Sequence, residues 1–210
     1  MEIYYLGHSC FKIIGKDISV LSDPFDPEKV GLKLAKQDAD VVTISHNHFD
    51  HNYREIMRSE YLLLDSPGEY EVKGSEIQGI FADHDTVGGQ ERGRVTIFAF
   101  DVDGIKVCHL GDLGTELTSE QLDKVDGVDV LMIPVGGKAT IDAKTAVKVI
   151  SQVEPKMVIP MHYANGKMTD FAPLSVFLQE MGVNPMPLDR LKINVKDLPE
   201  ELEVVVLKIV

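Results

Sequence analysis

The chain has 210 residues, a formal net charge of −13 and a hydrophobic content of 44%. This size and composition fit one globular domain with its own core. A surface this acidic repels phosphate backbones, which argues against general nucleic-acid binding unless bound cations reverse the charge locally.

Two cysteines, Cys10 and Cys108, are too few for a secreted disulfide scaffold, so a reducing cytoplasm is the expected compartment. The first residues, "MEIYYLGHSCFKI", lack the basic segment and long apolar run of a signal peptide. No apolar run reaches the roughly 18 residues of a membrane span. These features predict a soluble, cytoplasmic, single-domain protein over residues 1–210.

The first half of the chain is rich in short apolar and β-branched runs, which predict closely spaced strands. These strands are expected near 2–6, 9–14, 18–22, 40–45, 61–65, 69–73, 76–82, 94–101 and 104–110. Turn signals such as "SDPFDP", "DSPGEY" and "VKGS" separate them. "FAFDVDGIKVCHLGD" predicts a hairpin with Asp103 and Gly104 at its tip.

After residue 112 the pattern alternates between helix and strand. "TSEQLDKV" predicts a helix capped by Thr118, "DAKTAVKVISQV" a helix begun by Asp142, and "APLSVFLQEMG" a helix ended by Gly182. "VDVLMIPVGG", "PKMVIPMHY" and "ELEVVVLKIV" predict strands. This order favours two face-to-face sheets flanked by helices, a four-layer αββα sandwich; a doubly wound sheet would give a similar second half.

The stretch "TISHNHFDHN", residues 43–52, places three of the seven histidines of the chain within six positions. A chance H-x-H-x-D-H match in such a chain has a probability below about one in a thousand, which favours a metal site over a solvated loop. The stretch follows the apolar strand "ADVVTIS", and "NYREIMRS" after it predicts a helix that Asn52 could cap. The motif is therefore expected on a strand-to-helix loop at the carboxyl edge of a sheet, where ligands gather in α/β folds.

In an extended segment His46 and His48 project to the same side, because side chains repeat every second residue. Asp50 and His51 follow a change of direction and can address a second point nearby. One loop can thus offer ligands to two neighbouring ions of the zinc type, which bind imidazole and carboxylate groups.

Two ions need further donors, and three later residues are candidates because each follows an apolar strand. They are His84 in "GIFADHDTVGG", Asp112 in "VCHLGDLG" and His162 in "VIPMHYANG". The competing interpretations are a surface turn for His84, a turn residue for Asp112 and a buried structural histidine for His162.

The H-x-H-x-D-H motif with these strand-ending residues resembles the metallo-β-lactamase superfamily of metal-dependent hydrolases. "YLGHSCFKI", "LSDPF", "RGRVTIF", "CHLGDLG", "IPVGG" and "PMHY" are similar to the small bacterial and archaeal branch related to ascorbate-6-phosphate lactonase. The resemblance implies the αββα fold and a division of the ligands between two metals with one bridging carboxylate. The first metal would take His46, His48 and His84, the second Asp50, His51 and His162, and Asp112 would bridge them.

Two divalent ions with Asp50 and Asp112 and a bridging hydroxide leave a centre of about +1 charge, which suits a transition state that gains negative charge. The expected activity is hydrolysis of an ester, lactone or phosphodiester of a small anionic substrate. Asp50 is the catalytic candidate, because it could orient the hydroxide or take a proton from it. Zinc is the expected metal, and Mn, Fe or Ni would fit the same donors.

Five other residues are candidates for supporting the ligands or contacting substrate. His8 either points towards the site or ends a strand, and Asp23 either accepts from a ligand histidine or initiates a turn before Pro24. His109 is expected to support the site or the fold rather than to bind metal. Arg92 and Tyr163 are substrate candidates, with a solvated side chain as the alternative.

Other functions compete with the hydrolase. A nuclease could use the same centre, although the net charge argues against it, and a non-catalytic metal-binding module would have little need of Asp50. Redox chemistry at iron ranks low because such sites carry an acidic ligand where this chain has His48. β-Lactam hydrolysis rests on fold analogy alone. The expected partner is a small-molecule substrate, without nucleic acid or membrane.

Overall fold

Two mixed β-sheets form the centre of the computed structural model, which describes residues 1–210. The first sheet contains β1 (Glu2–Gly7), β2 (Cys10–Ile14), β3 (Ser19–Ser22), β4 (Val41–Thr43), β5 (Leu62–Leu64) and β12 (Leu191–Lys192). The second contains β6 (Gly68–Val72), β7 (Ser75–Asp83), β8 (Arg94–Val102), β9 (Ile105–His109), β10 (Val130–Pro134), β11 (Met157–Met161) and β13 (Glu203–Val204). The helices are α1 (Pro27–Val30), α2 (Ser119–Lys124), α3 (Ala143–Val153) and α4 (Leu174–Met181).

The strand orders are β12-β1-β2-β3-β4-β5 and β13-β11-β10-β9-β8-β7-β6. Each sheet changes from antiparallel to parallel pairing along its width: β3, β4 and β5 run parallel, as do β9, β10, β11 and β13. The parallel strands of both sheets end at loops that carry the polar motif residues. This arrangement is what gathers those residues at one edge.

Three buried apolar clusters account for the layers. Ile3, Phe11, Phe98 and Phe100 belong to the cluster between the sheets. A second cluster joins the outer face of the second sheet to α3 and α4, and a third lies under α1 and the segments that follow it. The predicted αββα sandwich is therefore confirmed, although the layer outside the first sheet contains only one turn of α-helix.

The helix caps follow the sequence signals. Thr118 and Gln121 form a capping box at α2, and the Asp142 side chain accepts from the Thr145 N–H at α3. Gly182 ends α4 in the left-handed conformation. None of the four helices has the length and apolar character needed to cross a bilayer.

Two segments differ from the sequence prediction. "NYREIMRS" forms a single 3₁₀ turn over Arg54–Ile56, because the chain then pairs with residue 37 through the Arg58 N–H; the Asn52 side chain donates to Asn47 instead of capping a helix. The predicted final strand is paired as β13 for only two residues. The chain then leaves the second sheet and reaches β1, where the Val210 N–H donates to the Tyr5 carbonyl.

Candidate metal centre

Eight polar side chains meet where strands of the two sheets end. They are His8 after β1, His46, His48, Asp50 and His51 after β4, His84 after β7, Asp112 after β9 and His162 after β11. Asp23, after β3, lies behind them and contacts His51. The sequence predicted that the motif residues, His84, Asp112 and His162 would meet here, and it gave a place at the site as one of two alternatives for His8 and Asp23.

Three of these residues hold their backbone in the left-handed region, which non-glycine residues rarely occupy. The φ angles are 56° at His8, 42° at Asp23 and 54° at His162. Such a conformation costs about 1 kcal/mol or more at each position. Each residue directly follows a strand. The positive φ angle changes the direction of the backbone there, so the chain leaves the strand and turns towards the centre.

Two glycines permit close approach of the loops around the centre. A Cβ on Gly114 would lie 2.2 Å from the Asp85 N, and one on Gly136 would lie 2.1 Å from the His162 carbonyl oxygen. Backbone atoms cannot yield to such overlaps. The loops that follow Asp112 and β10 therefore pack directly on the backbone of the loops that carry His84 and His162.

His46, His48 and His84 form one end of the centre, which we call the open group. The His46 Nε2 lies 2.7 Å from the His48 Nδ1, and the rings of His46 and His84 are 4.7 Å apart. His48 is exposed, whereas His84 is buried. The ligand atoms of the three lie within 4.8 Å of one another, close enough to share one ion.

His8, Asp50, His51 and His162 form the other end, which we call the buried group. Their ligand atoms also lie within 4.8 Å of one another, and all four residues are buried. The rings of His8 and His162 are 4.3 Å apart. This group contains His8 in addition to the three ligands that the resemblance implied for the second metal.

Asp112 lies between the two groups. Its Oδ2 is 3.2 Å from the His162 Nε2 and 3.7 Å from the His84 Nε2, and its Oδ1 is 3.2 Å from the His51 Nε2. One carboxylate therefore faces histidines of both groups. This is the placement that a bridging ligand requires.

Asp23 and Ser45 orient two of the histidines from behind. The Asp23 Oδ2 accepts from the His51 Nδ1 at 2.8 Å and from the Ser45 hydroxyl at 2.5 Å, while the Ser45 Oγ is 3.0 Å from the His46 Nδ1. Metal-binding histidines usually donate their second ring nitrogen to such a carboxylate. The contact leaves the His51 Nε2 directed at the centre.

His8 contacts Asp50 and is itself fixed by the backbone. The His8 Nε2–H donates to the Asp50 Oδ2 at 3.1 Å. The His8 carbonyl accepts from the Tyr5 hydroxyl at 2.8 Å and from the His162 N–H at 2.9 Å. The first strand thereby ties one buried imidazole to the motif carboxylate and to the strand end that carries His162.

Burial and the mutual proximity of the groups shift their pKa values strongly. Burial lowers the pKa of His46 to about 3 and that of His8 to about 4, with neighbouring imidazoles acting in the same direction. Burial opposes ionisation of Asp112, yet His162 and His51 hold the pKa of that carboxyl well below its usual value. Burial opposes protonation of His51, yet the Asp112 and Asp23 carboxylates raise the pKa of that imidazole well above its usual value. The centre therefore combines neutral His8 and His46 with an ionised Asp112 and a protonated His51, whose proton a bound metal ion would displace.

Several buried atoms of this cluster have no hydrogen-bond partner in the protein. They are the Nδ1 of His8, the Nε2 of His51, both ring nitrogens of His84 and His162, and the Oδ1 of Asp112. Buried polar atoms are normally paired, because leaving one unpaired costs about 1–3 kcal/mol. Unpaired imidazole and carboxylate atoms that face one another fit divalent ions of the zinc type.

The remaining candidates lie around this centre. His109 is 2.8 Å through its Nε2 from the Ser9 carbonyl, and its Nδ1 accepts from the Gly111 N–H, so both nitrogens are used within the fold. Tyr163 packs in the core, with its ring 6.1 Å from that of Tyr5. Arg92 is exposed beside His84, in a loop that borders the open group.

Sequence reasoning missed two residues next to the ligands. The Asp85 carboxylate accepts from the backbone N–H groups of residues 87, 89, 91 and 92 and so organises the loop after His84. An aspartate three residues before Gly-Gly is a turn signal that could have identified it. No sequence signal marks Phe171, whose ring is 4.6 Å from that of His162 in the same connection between β11 and α4.

The sequence matches the family model described as the beta-lactamase superfamily domain over residues 2–162. A UPF0173 metal-dependent hydrolase of Thermoplasma acidophilum is 28% identical over 188 residues, which cover 78% of this chain and 83% of that protein. A similarly named hydrolase of Thermococcus onnurineus is 29% identical over 190 residues, covering 78% and 84%.

Among solved structures, the chain is similar to a protein of Thermotoga maritima described as a Zn-dependent hydrolase of the metallo-beta-lactamase superfamily. The two are 34% identical, the match covers 98% of this chain and 97% of the other, and the TM-score is 0.80. The match therefore extends over both sheets and over every strand end that contributes to the centre.

Proposed function

The chain belongs to the beta-lactamase superfamily and is a metal-dependent hydrolase, and from this we propose that it binds two divalent ions and hydrolyses an ester, lactone or phosphodiester of a small anionic substrate. Zinc is the first candidate for both ions, given the imidazole and carboxylate donors. The expected location is the cytoplasm.

The observation that carries the proposal is the position of Asp112. A site for one ion would need only one of the two groups, yet Asp112 faces His84 of the open group and His51 and His162 of the buried group. A carboxylate with imidazoles on both sides is suited to neutralising part of the charge of two neighbouring ions. Seven imidazole and carboxylate ligands are also more than one ion of this type accepts.

Each group of the chain then has a separate task. Asp23 holds the His51 ring so that its Nε2 faces the centre, and His8 holds one oxygen of Asp50 and leaves the other free. The bound ions would supply a water of lowered pKa, near 7 in favourable cases, and would polarise the oxygen that gains charge. Through its other oxygen, Asp50 would bind the second ion and orient the attacking group or take a proton from it.

The exposed side of the centre sets how substrate enters. His48 is exposed while His8, His51 and His162 are fully buried, so a substrate reaches the open group first. Phe49, 45% exposed between two ligand residues, provides an apolar surface beside that entrance. A small ester or lactone with a polar reacting end fits such an opening better than a polymer would.

Elemental analysis of the tag-free protein and assays of the metal-loaded protein test the proposal together. We expect about two ions per chain, and hydrolysis of at least one ester, lactone or phosphodiester that stops on chelation and returns with Zn or Mn. A protein that binds no ion tightly after dialysis against Zn and Mn, or that binds two and cleaves none of the three bond classes, would contradict it.

A further inference from the structure

A small cavity adjoins the open group on the side of His84. It has a volume of about 170 Å³ and is also lined by Thr86, Arg92, Lys138 and Thr140. Sites for whole drug-sized ligands occupy about 300–1,000 Å³, so this cavity suits one functional group of a substrate rather than all of it. A larger cavity of about 420 Å³ shares Thr86, Lys138 and Thr140 and leads outward from it.

Arg92 is a free cation at this cavity. The chain has 34 acidic residues against 21 basic ones, yet Arg92 forms no ion pair. Its only side-chain hydrogen bond is a long one, from Nη2 to the Lys138 carbonyl at 3.4 Å. His84 and Arg92 line the same small cavity, so the guanidinium lies beside that candidate ligand.

The loop that carries Arg92 is fixed by Asp85. Its carboxylate accepts from the Arg92 N–H at 2.8 Å and from three further backbone N–H groups of the loop. The negative charge of Asp85 is thus already engaged by donors of its own loop. Glu91, the other acid that lines the cavity, is exposed to solvent.

Lys138 provides the second cation from the opposite wall. Its φ is 59°, a conformation that lysine rarely adopts, and its backbone N–H donates to no group of the protein. Its ammonium pairs only with Asp170, and both side chains are largely exposed, at 54% and 72%. A solvated pair of this kind contributes little and can be exchanged for another anion.

We propose that this cavity binds an oxyanion, a carboxylate or a phosphate, which the substrate carries at the end opposite to the bond that is cleaved. The inference rests on the hydrolase function proposed above and extends it with a residue-level explanation of the anionic substrate. Arg92 gives the planar, paired donors that suit either oxyanion, and Lys138 adds a second charge.

Three p-nitrophenyl esters of equal acyl length test the proposal on the zinc-loaded protein. The valerate ends in a methyl group, the glutarate in a carboxylate and the 4-phosphonobutanoate in a phosphonate. After subtraction of the spontaneous reaction, we expect kcat/KM to be about tenfold or more higher for one or both anionic esters than for the valerate, the size of one charge-assisted hydrogen bond. The preferred ester shows which oxyanion the cavity favours.

Two variants should move this preference in opposite directions. Arg92→Met should lower the ratio of kcat/KM for the anionic and neutral esters about tenfold. Asp170→Asn frees Lys138 and should raise the ratio severalfold. Arg190→Met is the matched control, because Arg190 pairs with Glu2 at the start of β1, the end remote from His8, and it should leave all three esters unchanged.

The proposal fails if wild type shows no preference for an anionic ester, or if Arg92→Met and Arg190→Met lower the ratio equally. Calorimetric titration with N-methylglutaramate, an amide with the same anionic tail, tests the cavity independently of hydrolysis. Binding that Arg92→Met weakens about tenfold, in a protein that cleaves none of the esters, would retain the oxyanion site and count against the ester hydrolase. Ester cleavage without binding of the amide would retain the ester hydrolase and count against the oxyanion site.

Discussion

The open and buried groups of the metal centre contain similar donors but are built differently. In the buried group, His51 donates to Asp23 and His8 donates to Asp50, and His8 is itself anchored by Tyr5. In the open group, His48 is exposed, and only His46 is held from behind, through the Ser45 hydroxyl. Both ring nitrogens of His84 and of His162 lack a protein partner, so each group has one histidine that only its loop positions. Direct hydrogen bonds to carboxylates thus fix two of the four residues of the buried group and none of the open group.

This difference in support predicts a difference in metal affinity between the two groups. Ligands already held in position lose little conformational freedom when an ion binds, so affinity rises. We therefore expect the buried group to bind its ion more tightly and release it more slowly than the open group. An exposed, more adjustable end is also where a substrate can enter and contact the centre.

Asp112→Ala should have the largest effect because it removes the carboxylate that faces both groups. We expect the metal content to fall clearly below about two ions per chain, and kcat/KM to fall about 10³-fold or more, since several kcal/mol of electrostatic stabilisation are lost. Elemental analysis and steady-state assays measure the two effects.

Asp123→Ala provides the control for Asp112→Ala, because Asp123 is an exposed acid on α2 with no hydrogen-bond partner. It should keep the metal content and the activity of wild type. Equal metal content in wild type and Asp112→Ala would contradict the bridging role of Asp112, because the two groups would then bind their ions without a shared carboxylate.

Asp23→Ala should act mainly on the buried group, since it removes the direct acceptor of the His51 Nδ1–H, whereas it reaches His46 of the open group only through Ser45. Loss of such a partner typically lowers metal affinity about 10–100-fold. Titration of the metal-free protein with Co(II), followed by its absorption bands, should show the tighter of two binding steps weakened. If the weaker step changed instead, the assignment of high affinity to the buried group would be wrong.

Most members of the His and Asp cluster could be predicted from the sequence, because each lies in a loop that follows an apolar strand. Strand ends of an α/β sheet meet at one edge, so position along the chain was enough to bring His84, Asp112 and His162 together. The role of Asp23 was predicted as one of two alternatives. Only the fold decides between them, because the His51 contact spans 28 residues of sequence.

Contacts that depend on the crossing of the chain between sheets could not be predicted. "ELEVVVLKIV" has the β-branched composition of a strand, but only Glu203 and Val204 pair with β11, while Val210 bonds to the first sheet. The β-propensity of a residue describes how well it fits a pleated surface locally. It therefore cannot predict that a segment passes from one sheet to the other. Lys138 was missed for a related reason: its relation to Arg92 depends on two loops 46 residues apart.

His8→Phe removes both imidazole nitrogens of His8, including the donor to Asp50, while it retains a buried aromatic ring. We expect about a tenfold loss of affinity at the tighter step of the Co(II) titration, and a smaller change at the weaker step. His8→Gln, which retains a donor of similar reach, should restore part of the affinity. If both variants lost the same affinity, packing of the ring rather than the hydrogen bond to Asp50 would explain the effect.

Asp85→Asn should give the smallest effect and should act on the open group, because Asp85 accepts from four backbone N–H groups of the loop after His84 and contacts no residue of the buried group. Hydrogen bonds from the loop backbone overcome the opposing effect of burial and lower the pKa of Asp85 to about 2, so the contribution of the carboxylate is complete above the unfolded value of about 4 and is lost as the pH falls towards 2. Urea unfolding of the metal-free proteins should therefore show wild type more stable than Asp85→Asn at pH 5, with the difference shrinking steadily below pH 4.

At neutral pH, Asp85→Asn should weaken the second Co(II) binding step a few-fold and leave the first step unchanged. A change confined to the first step would mean that the loop held by Asp85 supports the buried group, and the assignment of the weaker step to the open group would be wrong.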